Sequence, residues 1–370
     1  MKIIEIIASL GSGGAETLIT DLSIGLTAKG ADVLVVVIDP FYGDVSEQSK
    51  IENLINQGIQ VISLDRKPGG IRVKTFYKLH EIIKSFNPKI VHFHSFIAGF
   101  YLLPKIVCSR KINFFQTIHN TKDNLNSLNR CLQKYIMSVN SSLIYCSNEA
   151  FKSLSSIYGT GSVINNGVAV GNLKNKRDNL CEEFNIPKDN LMLLNVGRVV
   201  TQKNQSMLLE IVEVLNKKMY HGKLHLLICG ANNADEVYID LLKKKQTMTF
   251  SNCVHFVGVR NDVTDLMYSS DIYISTSIHE GLPITGLEAM QVGVPIVLSP
   301  IPEHTKIFNN QHGVYFPENL SVEAYVSLLS DLNIDKHKEN NIAERKKFNS
   351  KFSIENNVNM HYKLFSEIIY

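Results

Sequence analysis

The chain has 370 residues, 44% hydrophobic and 20% charged, with a net charge of +3. That length exceeds what one core usually organises, so two domains are expected, in a globular composition rather than a disordered one. No apolar run reaches membrane-spanning length, residues 1–8 are too short and too broken by Lys2 and Glu5 for a signal peptide, and six cysteines without paired spacing point to reduced thiols in a cytosol, not to disulfides or zinc.

Strands and helices alternate from the start. Residues 3–8 and 33–38 are near-continuous apolar runs, as parallel strands covered on both faces require. Between them Ala15, Leu18, Ile19, Leu22 and Leu26 form a helical stripe. The joining turn carries Gly11, Gly13 and Gly14, which let backbone approach a phosphate and leave the helix start open. It matches a dinucleotide fingerprint at Gly11 and Gly13 but has Glu16 in place of the third glycine, while Asp39 ends the second strand where a ribose-binding acid would sit. A binding loop and a tight structural turn both stay open.

Short strands follow near 61, 90–94, 114–117 and 143–146, with helical segments between them. His92 and His94 fall on one strand face, which suggests a metal pair, but no third ligand has supporting spacing; a packed His92 and a cleft-edge His94 is the other account. His119 ends a strand, and the carboxyl ends of parallel strands face the ligand crevice, so it can meet substrate or simply cap. Between residues 66 and 134, thirteen Lys and Arg face only Glu81 and Asp123. Such a stretch either solvates helices or forms a basic face for an anionic membrane or phosphorylated acceptor. No nucleic-acid motif accompanies it, so nucleic acid is not an expected partner.

The polar passage 170–190 reads as a linker. A second series then starts: strand 191–196, helix 204–218, strand 224–229, helix 236–245, strands 254–257 and 272–275, helix 283–291 and strand 296–298. Two βα series imply two doubly wound domains with a cleft between them. Arg198 follows a strand end and Lys203 opens a helix, where a cation opposes the dipole. A bound diphosphate would resolve that conflict; so would a salt bridge. Residues 279–290 are the densest stretch. Glu280 precedes a helix start at 281–284 that can seat phosphate or a sugar oxygen, and Glu288 follows about two turns later. Two carboxylates so placed could grip ligand hydroxyls, or belong to a capped surface helix. The final stripe of Ile354, Val358, Tyr362, Phe365 and Ile369 predicts a docked helix.

Together, residues 13–16 (Gly-Gly-Ala-Glu), 166–168 (Asn-Gly-Val), Gly197-Arg198 with Lys203-Asn204, and Glu280-Gly281 with Glu288-Ala289-Met290 resemble the retaining glycosyltransferases of family 4, in order and spacing over essentially the full chain. The resemblance implies the GT-B fold: an α/β architecture of two Rossmann-like domains facing across a cleft. Domain one would span 1–170, on the acceptor side, joined by a C-terminal helix 353–370 crossing back. Domain two would span 171–352 and bind the donor. The implied reaction moves a hexose-type sugar, with retention, from a nucleotide-sugar (UDP favoured over GDP) to a saccharide or lipid-linked saccharide acceptor in surface polysaccharide synthesis. No metal or other cofactor is implied.

The resemblance also implies residue roles. Arg198 and Lys203 would hold the diphosphate, and Gly13 and Gly14 would approach it through backbone. Glu280 would contact sugar hydroxyls, helped by the helix start that runs from Gly281 and Leu282 through Pro283 to Ile284 and its backbone N–H groups. Glu288 would bind ribose, the turn of Val259 and Arg260 the base, and His119 would lie near the transferred sugar. Ala169 stands where many relatives have Asp, which touches a hinge-side contact only. Three rivals remain: a nicotinamide-dependent oxidoreductase, which leaves Glu280 and Glu288 unexplained; a GT-B sugar-nucleotide epimerase, whose carboxylates cannot be placed; and a non-catalytic sugar-nucleotide-binding protein.

Overall fold

The computed structural model describes residues 1–11, 13–66, 73–94, 112–119, 130, 131, 134, 141–230, 236–280, 282–332 and 350–369. They divide into two compact units, Met1–Ala169 with Lys351–Tyr370, and Val170–Ser350.

In the first unit the order is β1 (Lys2–Ile7), α1 (Gly14–Ala28), β2 (Asp32–Val37), α2 (Val45–Asn56), β3 (Gln60–Ser63), α3 (Val73–Phe86), β4 (Ile90–Phe93), β5 (Asn113–Ile118), β6 (Ser141–Tyr145), α4 (Asn148–Tyr158) and β7 (Ser162–Val163). The strands form a parallel sheet in the order β3-β2-β1-β4-β5-β6-β7. The chain winds outward from β1 in both directions, so the strand order reverses between β1 and β4. Successive residues of β1 alternate between two cores: Ile3 and Ile7 pack with α1 on one face, Ile4 and Ile6 with α3 on the other. This two-sided cover is why the strands are almost uninterruptedly apolar. Glu5, on the face of Ile3 and Ile7, is the exception.

The second unit runs α5 (Arg177–Phe184), β8 (Leu191–Val196), a 3-10 turn Thr201–Lys203, α6 (Gln205–Leu215), β9 (Leu224–Cys229), α7 (Glu236–Gln246), β10 (Val254–Gly258), α8 (Val263–Ser269), β11 (Ile272–Ile274), α9 (Ile284–Val292), β12 (Ile296–Val297), α10 (Pro302–Phe308), β13 (Val314–Tyr315) and α11 (Val322–Asp331). Its parallel sheet has the order β10-β9-β8-β11-β12-β13, with the reversal between β8 and β11. The two doubly wound α/β units make this the GT-B fold. The passage 170–190 is not the plain linker that its polarity suggests, because α5 lies within it. That helix buries only Leu180 and Cys181, too little for an apolar stripe. Neighbouring ion pairs hold it: Lys176 to Asp262 at 2.7 Å, and Arg177 to Asp271 at 3.0 Å.

The final helix, α12 (Ile354–Ile369), belongs to the first unit and packs on α1. Val358 and Phe365 enter the core there, with Ile354 and Tyr362 beside them. The chain reaches this helix through a tight crossing. Val168 N–H donates to Phe352 O at 2.9 Å and Ile354 N–H to Val168 O at 3.1 Å. A Cβ on Gly167 would stand 2.6 Å from Ser353 O, so only glycine permits the approach.

Candidate active site

In an open α/β sheet, ligands bind beyond the carboxyl ends of the strands where the order reverses. In the second unit that point lies between β8 and β11, and the two loops leaving those strands carry Arg198, Lys203 and Glu280. Backbone shape clears the space above β8 and β9. Gly230 adopts φ +98°, and a Cβ on it would lie 2.8 Å from Gly197 O. Beyond Gly197 the chain turns through Thr201–Lys203, and Asn204 takes a left-handed conformation (φ 51°) before α6 begins. Asn is among the few side chains that tolerate that region.

The two loops are stitched together. Ile278 N–H donates to Gln202 O at 2.9 Å and Gln202 Nε2 to His279 O at 2.7 Å. The Thr276 hydroxyl lies 2.9 Å from Asn204 O and 3.1 Å from Lys203 O. Within this frame Lys203 Nζ and Glu280 Oε1 pair at 2.6 Å, and Ser277 Oγ also donates to Oε1 at 2.6 Å. Glu280 is buried, Lys203 partly so, and Arg198 stands exposed in the β8 loop. Lys203 therefore sits ahead of α6 rather than inside its first turn, and its conflict with the helix dipole is answered by Glu280. Cation and carboxylate side by side can serve adjacent parts of one ligand, an anion and a set of hydroxyls.

At α9 the helix ends as its glycine predicts, with Gly293 left-handed at φ 100°, but it starts one residue later than expected, at Ile284 with Pro283 as its cap. The helix start is less open than the sequence suggests. Pro283 has no N–H, and the Ile284 N–H donates to Leu282 O at 2.9 Å. Gly281 lies outside the described residues. Glu288 is half-buried on α9. The sequence does not single out Tyr273 or His304 here. Tyr273 Oη bonds Thr285 Oγ1 at 2.7 Å, tying β11 to α9, and burial pushes its phenol above the usual range. His304 is buried on α10, its Nδ1 2.9 Å from Ser299 O; burial lowers its pKa.

Elsewhere the expected site residues are more committed than the sequence shows. Arg260 donates to Asp262 at 2.9 and 3.0 Å and to Glu183 at 3.0 and 3.1 Å, and these partners raise its pKa further. The turn therefore offers its exposed Val259 and backbone rather than a free guanidinium. In the first unit Gly13 caps α1, but the Glu16 carboxylate folds back over it and meets the place a Gly13 side chain would take. A carboxylate there answers the same dipole that would attract a phosphate. Lys50 Nζ reaches Gly11 O at 3.0 Å, and burial lowers the lysine's pKa. Asp39 is bound by Arg66 at 2.6 Å, which removes its resemblance to a free ribose-binding acid.

Of the basic stretch, Lys67, Arg72, Lys105, Arg110, Lys111 and Lys122 lie outside the described residues. Lys78 is spent on Asp65 at 2.8 Å. His92 and His94 do find a third group, which sequence spacing could not reveal because it comes from another strand. Glu5 pairs with His92 across β1 and β4, and Glu5, His92 and His94 are the group among the described residues whose atoms could together hold a metal ion. Those atoms already contact one another: His94 Nε2 lies 2.7 Å and His92 Nδ1 2.9 Å from Glu5 Oε2. His119, at the end of β5, contacts His94, Nε2 to Nδ1 at 3.1 Å.

Comparison with known proteins agrees with this fold. Residues 176–348 match the family model of glycosyl transferases group 1, and residues 12–171 match that of glycosyltransferase family 4. A capsular polysaccharide biosynthesis glycosyltransferase, CapH of Staphylococcus aureus, is 23% identical over 83% of each chain. An Escherichia coli UDP-Gal:alpha-D-GlcNAc-diphosphoundecaprenol alpha-1,3-galactosyltransferase is 23% identical over 71% of each. A Methanocaldococcus jannaschii relative, an uncharacterized glycosyltransferase, is 25% identical over 61% of this chain and is spanned over only 59% of its own length. Among solved structures, Anabaena HepE in complex with UDP-glucose superposes with a TM-score of 0.81 at 16% identity, covering 99% of this chain and 100% of that one.

Proposed function

We propose, from the premise that the chain belongs to the GT-B glycosyltransferases, that it moves a hexose from a UDP-sugar to a saccharide or lipid-linked saccharide acceptor, with retention of configuration and without a metal. The observation that carries this is the Lys203–Glu280 pair at the reversal of the second sheet. Lys203, with the exposed Arg198 beside it in sequence, meets the donor diphosphate, and Glu280 takes the hydroxyls of the sugar next to it. Glu288 binds the ribose, the Val259–Arg260 turn contacts the base through backbone, and Gly13 and Gly14 approach the phosphate once Glu16 yields. Leu282 and the cap formed by Pro283 and Ile284 shape the sugar site. On the first unit, His119 meets a sugar hydroxyl.

The chemistry follows from where charge develops. Cleaving the bond between sugar and nucleotide leaves negative charge on the diphosphate and oxocarbenium character on the sugar. Fixed cations stabilise the first as it forms, at no cost in reorganisation. The resemblance to retaining glycosyltransferases favours same-face attack, the leaving phosphate accepting the acceptor's proton. UDP and a surface-polysaccharide acceptor are favoured by the likenesses to HepE, CapH and the galactosyltransferase. Peripheral contact with an anionic membrane belongs to the same reading, through the basic stretch. The test is a panel of UDP- and GDP-sugars with candidate saccharide acceptors, followed by mass spectrometry, with and without EDTA. Transfer from a UDP-hexose that survives EDTA is the expected result. Turnover with no sugar nucleotide, or activity that requires added Mn²⁺, contradicts it.

A further inference from the structure

Two serine hydroxyls stand behind the carboxylate of Glu280. Ser277 Oγ donates to Glu280 Oε1 at 2.6 Å, and Ser275 Oγ lies 3.1 Å from Ser277 Oγ. Ser277 is 1% exposed, while the Glu280 side chain keeps 8%, so the carboxylate lies nearer the surface that a ligand meets. The segment carrying Ser277 is fixed on both sides. Thr276 Oγ1 donates to Asn204 O at 2.9 Å and lies 3.1 Å from Lys203 O, and Ile278 N–H donates to Gln202 O at 2.9 Å. Ser275 is anchored in turn: its N–H donates to Val297 O at 2.9 Å, and its carbonyl accepts from Tyr325 Oη at 2.8 Å. Ser277 is therefore held on the same backbone frame as Lys203.

The proton order follows from the chemistry of the groups. An ammonium has no lone pair, so Glu280 Oε1, 2.6 Å from Lys203 Nζ, is an acceptor. Ser277 has one hydroxyl proton and gives it to that same oxygen, which leaves its own lone pairs for the proton of Ser275. Both donors end on Oε1. Among the described residues none donates to Oε2. One carboxylate oxygen is taken by the protein, and the other remains for the hydroxyls of a ligand.

We infer that Ser277 is a positioning residue: backed by Ser275, it pins Oε1 of Glu280 so that Oε2 alone faces the donor sugar. Its contribution falls in the complex more than in the free protein. An incoming diphosphate competes with Glu280 for the Lys203 ammonium, and Ser277, buried and uncharged, is the donor that Glu280 then keeps. Without that hydroxyl the carboxylate is free to rotate, and ordering it again to meet a sugar hydroxyl costs side-chain entropy. The same geometry decides how an amide behaves at this position. In Glu280→Gln the carbonyl oxygen goes to Lys203 and Ser277, both donors, so the NH2 group takes the place of Oε2 and presents hydrogens where the sugar met an acceptor. That Oε2 meets a sugar rests on the proposed glycosyl transfer; the pinning of Oε1 does not.

The test is calorimetry on the full chain with UDP, UDP-glucose, UDP-galactose and the N-acetylated forms of both sugars, in Ser277→Ala, Ser277→Cys, Glu280→Ala and the double variant Ser277→Ala/Glu280→Ala. Ser277→Ala should weaken the sugar nucleotide that wild type binds most tightly by roughly ten- to a hundredfold, as loss of a hydrogen bond to a charged group does, and leave UDP unchanged. Ser277→Cys, a weaker donor of similar shape, should fall between wild type and Ser277→Ala. In the Glu280→Ala background Ser277→Ala should cost nothing further, because no carboxylate is left to hold. A hydroxyl that only stabilises the loop would weaken UDP and the sugar nucleotide together and add its cost to that of Glu280→Ala. Either of those results, or a Ser277→Ala protein that binds like wild type, overturns the inference and leaves the glycosyl reading standing. Should Ser277→Ala fail to fold, Ser277→Cys decides on the same two affinities, an equal loss in both being the contrary result. A wild type that binds none of these sugar nucleotides overturns the glycosyl reading, and the positioning role of Ser277 with it.

Discussion

The two units reverse their strand order in the same way but fill the reversal differently. The second places Lys203 and Glu280 on loops, one of them partly open, with charges that meet each other at 2.6 Å. The first places Glu5 and His92 inside the strands and His94 just past β4, and the side chains of Glu5 and His92 have no exposure at all. A loop cluster can exchange its partner for a ligand, whereas a cluster inside the sheet can only fix geometry. Substitutions in the second unit should therefore change chemistry more than stability.

The largest effect is expected at Lys203. Lys203→Ala removes a cation from the developing diphosphate charge, and loss of one such contact typically lowers turnover by roughly 10²–10³. The thermal midpoint should move little by comparison, because Glu280 keeps its hydrogen bond from Ser277. Steady-state turnover together with thermal denaturation checks both. Near-normal turnover would remove Lys203 from the mechanism and blur the contrast between the units.

Acid acts on the buried histidines of both units. Burial holds His94 near pKa 4 and His361 near 3 in the first unit, and His255 near 4 in the second, all below the usual 6.5. The unfolded chain therefore binds these protons first, so their contribution is complete above pH 6.5 and is lost as pH falls towards those values. Each group contributes a slope of about 1.4 kcal/mol per pH unit within its window. Glu5, held low, loses its share at still lower pH. Asp21, raised by burial to about 6, acts oppositely as pH falls through that value, but it is a single group. Thermal midpoints measured from pH 7 to pH 4 should fall steadily. A flat or rising profile would mean that the histidines are not buried as neutral rings.

Much of this was legible in the sequence, and the gaps have physical causes. Apolar runs such as 33–38 locate strands because a two-sided parallel sheet leaves no room for alternation. The pairing of Lys203 with Glu280 was not legible, since 77 residues separate partners that only the adjacency of β8 and β11 brings together. Glu5 was missed for the same reason: on β1 it looked like an interruption of an apolar run, and its partners lie on β4. Helix α5 escaped because ion pairs rather than periodicity hold it. The helix start expected at 281–284 offers fewer donors than the sequence suggests, because Pro283 has none and Ile284 donates its own to Leu282.

The central claim, that neighbouring cation and carboxylate divide a sugar nucleotide between them, is tested most directly by calorimetry on Glu280→Gln beside Glu288→Gln. Glu280 neutralises Lys203 in the free protein, so its amide should leave affinity for UDP unchanged or tighter while weakening the UDP-sugar. Glu288→Gln should weaken both. Contacts to charged groups are worth about 1.5–3 kcal/mol, large enough to resolve. A loss of UDP affinity in Glu280→Gln equal to or larger than that in Glu288→Gln would contradict the account and reverse the donor along α9.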